Sequence, residues 1–284
     1  MCYFSDPEKR KTLKGQFKEE DLRVLANALF HRALKLQIGC GAEPSLFHNN
    51  TEIIRLGKER GIPYISMTTN ANLLQEEDLR QFVEAGLNEI TLSIHGVTKE
   101  SYEYFMEKAS FQKFHEAMQA LTKIKEAHPS FQIRLNYTVN KDNLNELRDF
   151  FKVFGCYKFD ILQLRPIQEI GLSDYHDFSW QSIYAQYDTT INVVKKECKD
   201  RNITCIAPNK HDLIKEENSR SSIAEWTYCY VSPRHAWHAD FQLNTDTYES
   251  YSKRTKLTKR LFLNIFAKKK PVEKSKKNLN YTIQ

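Results

Sequence analysis

The sequence predicts an α/β fold in which a parallel sheet is covered by helices. Three observations carry this. Five short runs rich in Val, Ile, Leu and Thr recur at strand length, amphipathic stretches with apolar residues at spacings of three and four lie between them, and most runs repeat near the ~30 residues of a βαβ unit. Alternation of this kind is satisfied either by a doubly wound sheet or by a sheet closed into a barrel.

The elements follow in order. A charged loop, SDPEKRKTLKGQ (5–16), leads into an amphipathic helix, EEDLRVLANALFHRA (19–33). No strand stands before them, so a crossover helix arrives with nothing to cross over from. The first strand run is ALKLQIG (33–39), followed by the helix TEIIRLGKER (51–60), the strand IPYISMTT (62–69), the helix EEDLRQFVEAG (76–86) and the strand NEITLSI (88–94). An insertion, HGVTKESYEYFMEKAS (95–110), lengthens the next interval before the helix FHEAMQALTKIKEA (114–127) and the strand FQIRLNYTV (131–139). The helix NLNELRDFFKVFG (143–155) and the strand FDILQLRPI (159–167) complete the alternation. Gly61, Gly86 and Gly155 each follow a helix at the position where a left-handed residue is wanted. After Ile167 a long helix over 179–200 leads to the strand-like NITCIAP (202–208) and a polar, helical stretch ending in WTYCYVSPRHAWHADF (226–241). These read as a small C-terminal α/β extension or as extra cover on the sheet. The expected organisation is a core over 1–168, an extension over 169–250 that bears on substrate or an auxiliary site, and a basic tail over 251–284.

At 284 residues with 40% hydrophobic and 27% charged residues, the chain is long enough to bury a large core. The net charge of +6 is local: the segment from Ser252 onward holds eleven Lys or Arg and one acid, a net +10 that leaves −4 on everything before it. Nucleic acid is not expected as a partner. No run approaches the ~20 apolar residues of a membrane span, and no basic region followed by an apolar run marks a signal peptide. Six widely spaced cysteines read as reduced thiols rather than a disulfide framework, so a cytoplasmic location is expected.

In parallel α/β folds the ligand site gathers at the C-terminal ends of the strands. Those ends read GCGAEP (39–44), TTNAN (68–72), SIHG (93–96), LNYTVN (135–140) and LRPIQ (164–168). In the first, small residues allow close backbone approach, and exposed carbonyls together with Glu43 suit a ligand bearing an ammonium group. Thr69, Asn70, Ser93 and Asn136 add hydroxyl and amide groups suited to a ribose or a carboxylate. Any one of them alone reads as a turn residue or cap; five consecutive strand ends weaken that reading.

Taken with MCYF (1–4) and in order, GCGAEP, TTNAN, LSIHG, RLNYTVN and LQLRPI resemble the core of the radical S-adenosylmethionine (AdoMet) enzymes over residues 1–168. The resemblance implies a partial (β/α)6 TIM-like barrel lacking its first strand. It also implies a [4Fe–4S] cluster held by a CxxxCxxC motif, with AdoMet on the open iron and cleaved to a 5′-deoxyadenosyl radical that abstracts hydrogen from substrate. Cys2 matches the third cysteine of that motif and is the implied metal ligand; the first two cysteines and the first strand lie outside this sequence. Met1, Tyr3 and Phe4 would lie near the cluster and the adenine. Gly41, Ala42, Glu43 and Pro44 match the GGEP turn that takes the methionine ammonium, with Ala42 in place of a glycine. Thr69, Asn70, Ser93, Arg134 and Asn136 match positions around the carboxylate or ribose, and Leu164 and Arg165 a position near the adenine. Cys40 sits in the turn but matches no ligand, and reads as a small buried thiol. One thiolate cannot hold four irons, and ALKLQIG would be an unpaired sheet edge. The chain as written is therefore expected to be an inactive, aggregation-prone fragment of an enzyme whose complete form is active.

The rest of the chain narrows the family little. Cys198, Cys205 and Cys229 are too few and too irregular for the family's seven-cysteine auxiliary domain, and the chain lacks both the close cysteine pair and the glycine-arginine C-terminal signature of the molybdenum-cofactor GTP cyclase. Cys205 and Cys229 with His235 and His238 could ligate zinc or iron; the plainer reading is buried thiols and an aromatic-flanked histidine pair. YCYVSPRHAW (228–237) could instead line the barrel mouth on the substrate side. The tail segment KRTKLTKRLFLNIFAKKK (253–270) reads as a final helix packed on the body, or as an interfacial helix on anionic lipid or an acidic partner. Substrate classes left open are a peptide, a cofactor precursor and a sugar, with flavodoxin or ferredoxin as electron donor. The competing reading is an AdoMet-fold binding protein that holds no cluster and catalyses nothing.

Overall fold

Strand period and register assign each side chain of the sheet to one of two faces, and burial alternates with them along the strand Gln132–Val139. The computed structural model describes residues 11, 15–39, 41–167, 181, 183–213, 228–233, 235–238 and 240–265. Helix α1 (Glu19–Leu29) precedes strand β1 (Lys35–Ile38). There follow α2 (Asn50–Glu59), β2 (Tyr64–Thr69), α3 (Glu76–Glu84), β3 (Glu89–Ile94), α4 (Lys99–Phe105), α5 (Phe111–Ala127), β4 (Gln132–Val139), α6 (Phe150–Phe154), β5 (Ile161–Pro166), α7 (Tyr184–Asp200) and β6 (Thr204–Ile206).

All six strands form one parallel sheet in the order β1-β2-β3-β4-β5-β6. Each strand lies beside its successor, and the order never reverses. A doubly wound sheet needs such a reversal, so the barrel-type alternative is the one realised. Crossovers between successive neighbours, right-handed as a rule in such units, stack the helices on one face. β1 and β6 do not pair with each other, so the sheet is open. β1 pairs only with β2 among the described residues, and Leu34 beside it is 81% exposed.

The helix-covered face is apolar. Ile65 and Met67 of β2, Ile90, Leu92 and Ile94 of β3, Ile133, Leu135 and Tyr137 of β4, and Leu162 of β5 are all completely buried. They meet Ile54 of α2, Leu79 of α3, Phe114, Met118 and Leu121 of α5, and Phe150 and Phe154 of α6. Each such side chain contributes roughly 1.5–3 kcal/mol by leaving water. The opposite face carries Gln37, Ser66, Thr68, Glu89, Thr91, Ser93, Gln132, Arg134, Asn136, Thr138, Gln163 and Arg165, because side chains alternate along a strand and register partners share a side.

Helix starts follow local chemistry. The Asp78 carboxylate accepts from the Gln75 N–H at 2.8 Å at the start of α3, whose first turn is acidic and so complements the helix dipole. Asp21 does the same for Lys18 before α1 at 2.9 Å. Gly61 and Gly86 take positive φ, +78° and +108°, as the helix ends require. Gly155 does not: its φ is −69°, and the need there is for space, since a Cβ would fall 2.3 Å from the Phe151 carbonyl oxygen. The run predicted as one helix over 143–155 divides into a 3-10 segment, Asn145–Asp149, and the single α-turn of α6.

Beyond Ile167, NITCIAP supplies β6 and so extends the same sheet. Val231–Ser232 (β7) and His235–Ala236 (β8) form a short antiparallel hairpin, followed by α8 (Tyr248–Thr255) and α9 (Leu257–Ile265). Trp237, Phe241, Tyr248 and Tyr251 cluster between them, with Trp237 and Tyr248 stacked at 5.4 Å. Glu249 of α8 pairs with His31 at 2.9 Å and so ties this unit to the end of α1. On α9, Leu257 and Leu261 are buried while Phe262 is 57% exposed. Among the described residues, no helix is long and apolar enough to cross a membrane.

Candidate functional site

Three layers make up the polar face: a floor at the N-terminal ends of the strands, a brace behind the mouth, and the mouth itself. In the floor the polar groups bond one another, Arg134 Nε excepted. The Arg134 Nη2 donates to Glu89 Oε2 at 2.8 Å and its Nη1 to Gln163 Oε1 at 3.2 Å. Tyr64 Oη lies 3.0 Å from both Glu89 Oε2 and Gln132 Oε1, and Thr91 donates to Glu89 Oε1 at 3.2 Å. Ser66 donates to Gln37 at 2.6 Å, and Gln37 donates to Thr68 at 3.0 Å. Burial pushes the Glu89 carboxyl up, but the hydrogen bond and charge of Arg134, with help from Tyr64, outweigh it and hold the group below its ordinary range. Burial and then the bond to Glu89 push the Tyr64 phenol up to about 12.

The brace is built on Glu43, in the turn after β1. Its Oε1 accepts from the Ser45 N–H at 3.1 Å, the Ser45 hydroxyl at 2.7 Å and the Thr69 hydroxyl at 2.5 Å, and its Oε2 from the Asn70 N–H at 2.8 Å. One carboxylate thus caps the 3-10 turn Pro44–Leu46 and clamps the loop after β1 to the loop after β2. Gly39 makes the approach workable: its φ is +77°, and a Cβ there would fall 2.5 Å from the Thr68 carbonyl oxygen. The Thr69 hydroxyl also accepts from the Ala71 N–H at 2.9 Å, and Asn70 Oδ1 accepts from the Asn72 N–H at 2.9 Å. Asn72 carries the brace outward, donating to Tyr102 at 2.8 Å and accepting from the Ser110 N–H at 2.5 Å.

The mouth is the reverse of the floor. Among the described residues, the side chains of Ser93, Asn136, Thr138 and Arg165 make no hydrogen bond or ion pair. Asn136 Oδ1 is buried and unpartnered, and so is His95 Nδ1. Ser93 and Asn136 are register partners on β3 and β4, and Thr138 and Arg165 are partners on β4 and β5. Asn143, itself buried, donates from Nδ2 to the carbonyls of His95 and Thr138, both at 2.8 Å, and so holds the two strand ends together past their last ladder pair. Native proteins leave few buried polar groups unpaired. A floor whose carboxylate, amides and hydroxyls are paired, under a mouth whose polar groups are not, marks where a ligand's hydrogen-bonding groups are wanted.

The residues singled out from sequence fall into separate sets. Ser93, Asn136 and Arg165 reach the mouth on the polar face. Gly41 and Ala42 lie in the adjoining turn, where Ala42 is exposed and Pro44 is packed inside. Glu43, Thr69 and Asn70 spend their oxygens on the brace. Arg134 is drawn down into the floor, where only its Nε is left without a partner. Leu164 points the other way, into the helix-covered core at 2% exposure. What it offers the mouth is backbone, and β6 stops at Ile206 opposite Gln163, so from Leu164 onward that edge of β5 has no ladder partner among the described residues. Met1, Cys2, Tyr3, Phe4 and Cys40 lie outside the described residues. Glu89, Tyr64, His95 and Thr138 went unassigned in the sequence reading. For Glu89 and Thr138 the signal was the alternation itself, E-T-S in NEITLSI and Q-R-N-T in FQIRLNYTV, which puts polar residues on one face of two adjacent strands.

Among the described residues, no three His, Cys, Asp or Glu side chains are grouped to hold a metal ion, and the His235 side chain of the second centre considered from sequence lies outside them. Cys205 turns instead to Cys198 across the junction of α7 and β6. The hydrogen bond between the two thiols, with burial, pushes Cys198 up, and the same bond pulls Cys205 down. Of the segment YCYVSPRHAW, Arg234 lies outside the described residues, and Trp237 packs against Phe241, Tyr248 and Tyr251.

The family model of the Radical SAM superfamily matches residues 1–152. The GTP 3′,8-cyclase of Aquifex aeolicus is 29% identical over 194 residues, covering 66% of this chain and 56% of its own length. A probable GTP 3′,8-cyclase of Saccharolobus solfataricus is 25% identical over 170 residues, covering 58% and 53%. The chain therefore spans just over half the length of these curated relatives. Among solved structures, anSMEcpe with bound AdoMet superposes with a TM-score of 0.54 at 18% identity, covering 68% of this chain and 55% of that one. SuiB of Streptococcus suis bound to S-adenosylmethionine gives 0.53 at 15%, covering 76% and 49%. At these identities the likeness is one of fold.

Proposed function

This chain belongs to the Radical SAM superfamily, and on that premise we propose that the mouth of its sheet is an AdoMet-binding site within an enzyme that abstracts hydrogen from substrate. The observation that supports this best is the unpartnered Asn136 Oδ1, buried beside the free Ser93 hydroxyl at the C-terminal ends of β3 and β4. AdoMet brings ribose hydroxyls and an ammonium that can donate to Asn136 Oδ1 and a carboxylate that can accept from the Ser93 hydroxyl, so the residues present fit the group. The carbonyls of the turn over Gly41 and Ala42 take the ammonium, Ser93 and Asn136 take the ribose or carboxylate, and the unpaired edge of β5 at Leu164 and Arg165 runs beside the adenine. Glu43 serves by shaping the turn rather than by meeting the ligand. Thr69 and Asn70 act with it, and Arg134 acts from below by fixing β4 against β3 and β5.

Cys2 would supply one thiolate to a [4Fe–4S] cluster, with Met1, Tyr3 and Phe4 beside it. Bound together, cluster and AdoMet supply a 5′-deoxyadenosyl radical. The chain's own contribution is to hold the cofactor against rigid strand ends, so that little ordering is left to the moment of reaction. The GTP cyclase relatives suggest a nucleotide substrate, and the peptide and sugar classes stand as alternatives. A small flavodoxin or ferredoxin is the expected electron donor.

Calorimetric titration of the chain with AdoMet tests the reading without requiring turnover. Asn136→Ala removes the orphaned amide and should lower AdoMet affinity by roughly tenfold, the worth of about one hydrogen bond to a ligand, while leaving the thermal midpoint within a degree or so. Absence of AdoMet binding by the parent chain, or an Asn136→Ala variant that binds AdoMet as well as the parent, would overturn it.

A further inference from the structure

The cofactor reading leaves three polar side chains of the mouth unused. His95, the residue after β3, Thr138 on β4 and Arg165 on β5 occupy successive positions across the sheet. The shared donor Asn143 Nδ2 places His95 next to Thr138, and the β4–β5 register places Thr138 next to Arg165. Neighbouring strands lie about 4.8 Å apart, so the three span a width of about 10 Å. Burial alternates through both segments, with Ile94 and Leu164 packed under the helices, which turns His95 and Arg165 onto the same polar face as Asn136.

Their bonding state sets them apart. Other partly buried cations near the sheet have a partner: Arg134 has Glu89, Lys125 has Asp160 at 2.8 Å, and Lys58 has Asn88 at 2.8 Å. Arg165 is half-buried too, yet among the described residues it makes no ion pair or hydrogen bond. A guanidinium withdrawn from water with no acceptor is costly unless an anion completes it, and its fork matches the two oxygens of a phosphate or carboxylate. Thr138 adds a free hydroxyl, and His95 adds an imidazole whose buried Nδ1 has no partner.

We propose that Arg165, Thr138 and His95 form a subsite for an oxyanion of the substrate, a phosphate or a carboxylate, beside the cofactor. The proposal rests on the AdoMet reading of the same mouth. The anion docks on the Arg165 fork, takes the Thr138 hydroxyl bond, and draws a hydrogen from the His95 ring, whose tautomer the anion itself selects.

Two probes separate the sources of the oxyanion: inorganic pyrophosphate for phosphate, and succinate for carboxylate, each titrated calorimetrically into the full chain with AdoMet absent and then saturating. The expected result is that one probe binds in both conditions, and that Arg165→Gln weakens it at least tenfold at AdoMet concentrations that saturate the variant. Arg165→Lys, which keeps the charge and loses the fork, should fall between, and His95→Gln should weaken the probe several-fold. Thermal midpoints of the variants, unchanged from the parent, exclude unfolding as the cause. Binding of neither probe, or an Arg165→Gln variant that binds the probe like the parent, overturns the subsite. Displacement of the probe by saturating AdoMet also overturns it, because the anion held there would then be the cofactor's own carboxylate. Failure of the parent chain to bind AdoMet at all strikes the reading beneath it instead, and the same titrations report that separately.

Discussion

Replacing Glu43 by glutamine separates a brace from a ligand contact. The carboxylate accepts four hydrogen bonds, three on Oε1 and one on Oε2. With its oxygen at the Oε1 position, glutamine keeps the bonds to Ser45 and Thr69 but sets an NH2 against the Asn70 N–H, 2.8 Å away in the parent. One charge-assisted bond is lost and two donors oppose each other, which costs about 2–3 kcal/mol. For a chain of this size that is a fall in Tm of roughly 4–10 °C. Differential scanning calorimetry of the apo chain reads it directly, and Glu43→Asp, which keeps the charge but shortens the reach, should be destabilised as well. A carboxylate serving chiefly to meet the ammonium of AdoMet would behave otherwise, with apo stability untouched and affinity lost. An unchanged apo Tm in Glu43→Gln would refute the brace.

Three further outcomes follow from the same geometry. Arg134→Met leaves the Glu89 carboxylate buried without its cation and should cost about 3 kcal/mol at neutral pH, measured by urea denaturation. The folded Glu89 titrates below its ordinary 4.5, so the parent pair stabilises fully above about pH 4.5 and less as pH falls toward the folded value; in Arg134→Met that dependence should vanish or reverse. His95 is driven down from 6.5 to about 4 by burial, so the unfolded chain binds more protons between those values, stability rises with pH across that window, and His95→Gln should flatten the slope of Tm against pH. Cys205, its thiol held low by the bond from Cys198, should be alkylated by iodoacetamide at neutral pH faster than Cys198, and Cys198→Ala should slow it, as read by peptide mass spectrometry.

Much of the fold was legible because its signals are local. ALKLQIG, IPYISMTT, NEITLSI, FQIRLNYTV and FDILQLRPI became β1 to β5 because β-branched runs between polar breaks have few other ways to bury themselves. NITCIAP was harder to place: three strand residues at the end of a long helix look the same whether they extend a sheet or cover it, and only pairing with β5 distinguishes them. Gly155 shows the same limit at one residue. Its position after a helix suggested a left-handed turn, whereas the need was set by crowding against Phe151.

For the site, the sequence by itself determined which strand ends carry polar chemistry, since side-chain type and strand period are both written in the chain. What only the tertiary structure decided is how each polar group is spent. Glu43 and Thr69 became a brace, and Arg134 became floor, because partners distant in sequence, Asn70 and Glu89, arrive within hydrogen-bond reach once the sheet forms. Asn136, Ser93 and Arg165 stayed free because no group among the described residues comes to meet them. Hydrogen bonds saturate, and which donors and acceptors are left over is a property of the assembled sheet, not of any one strand.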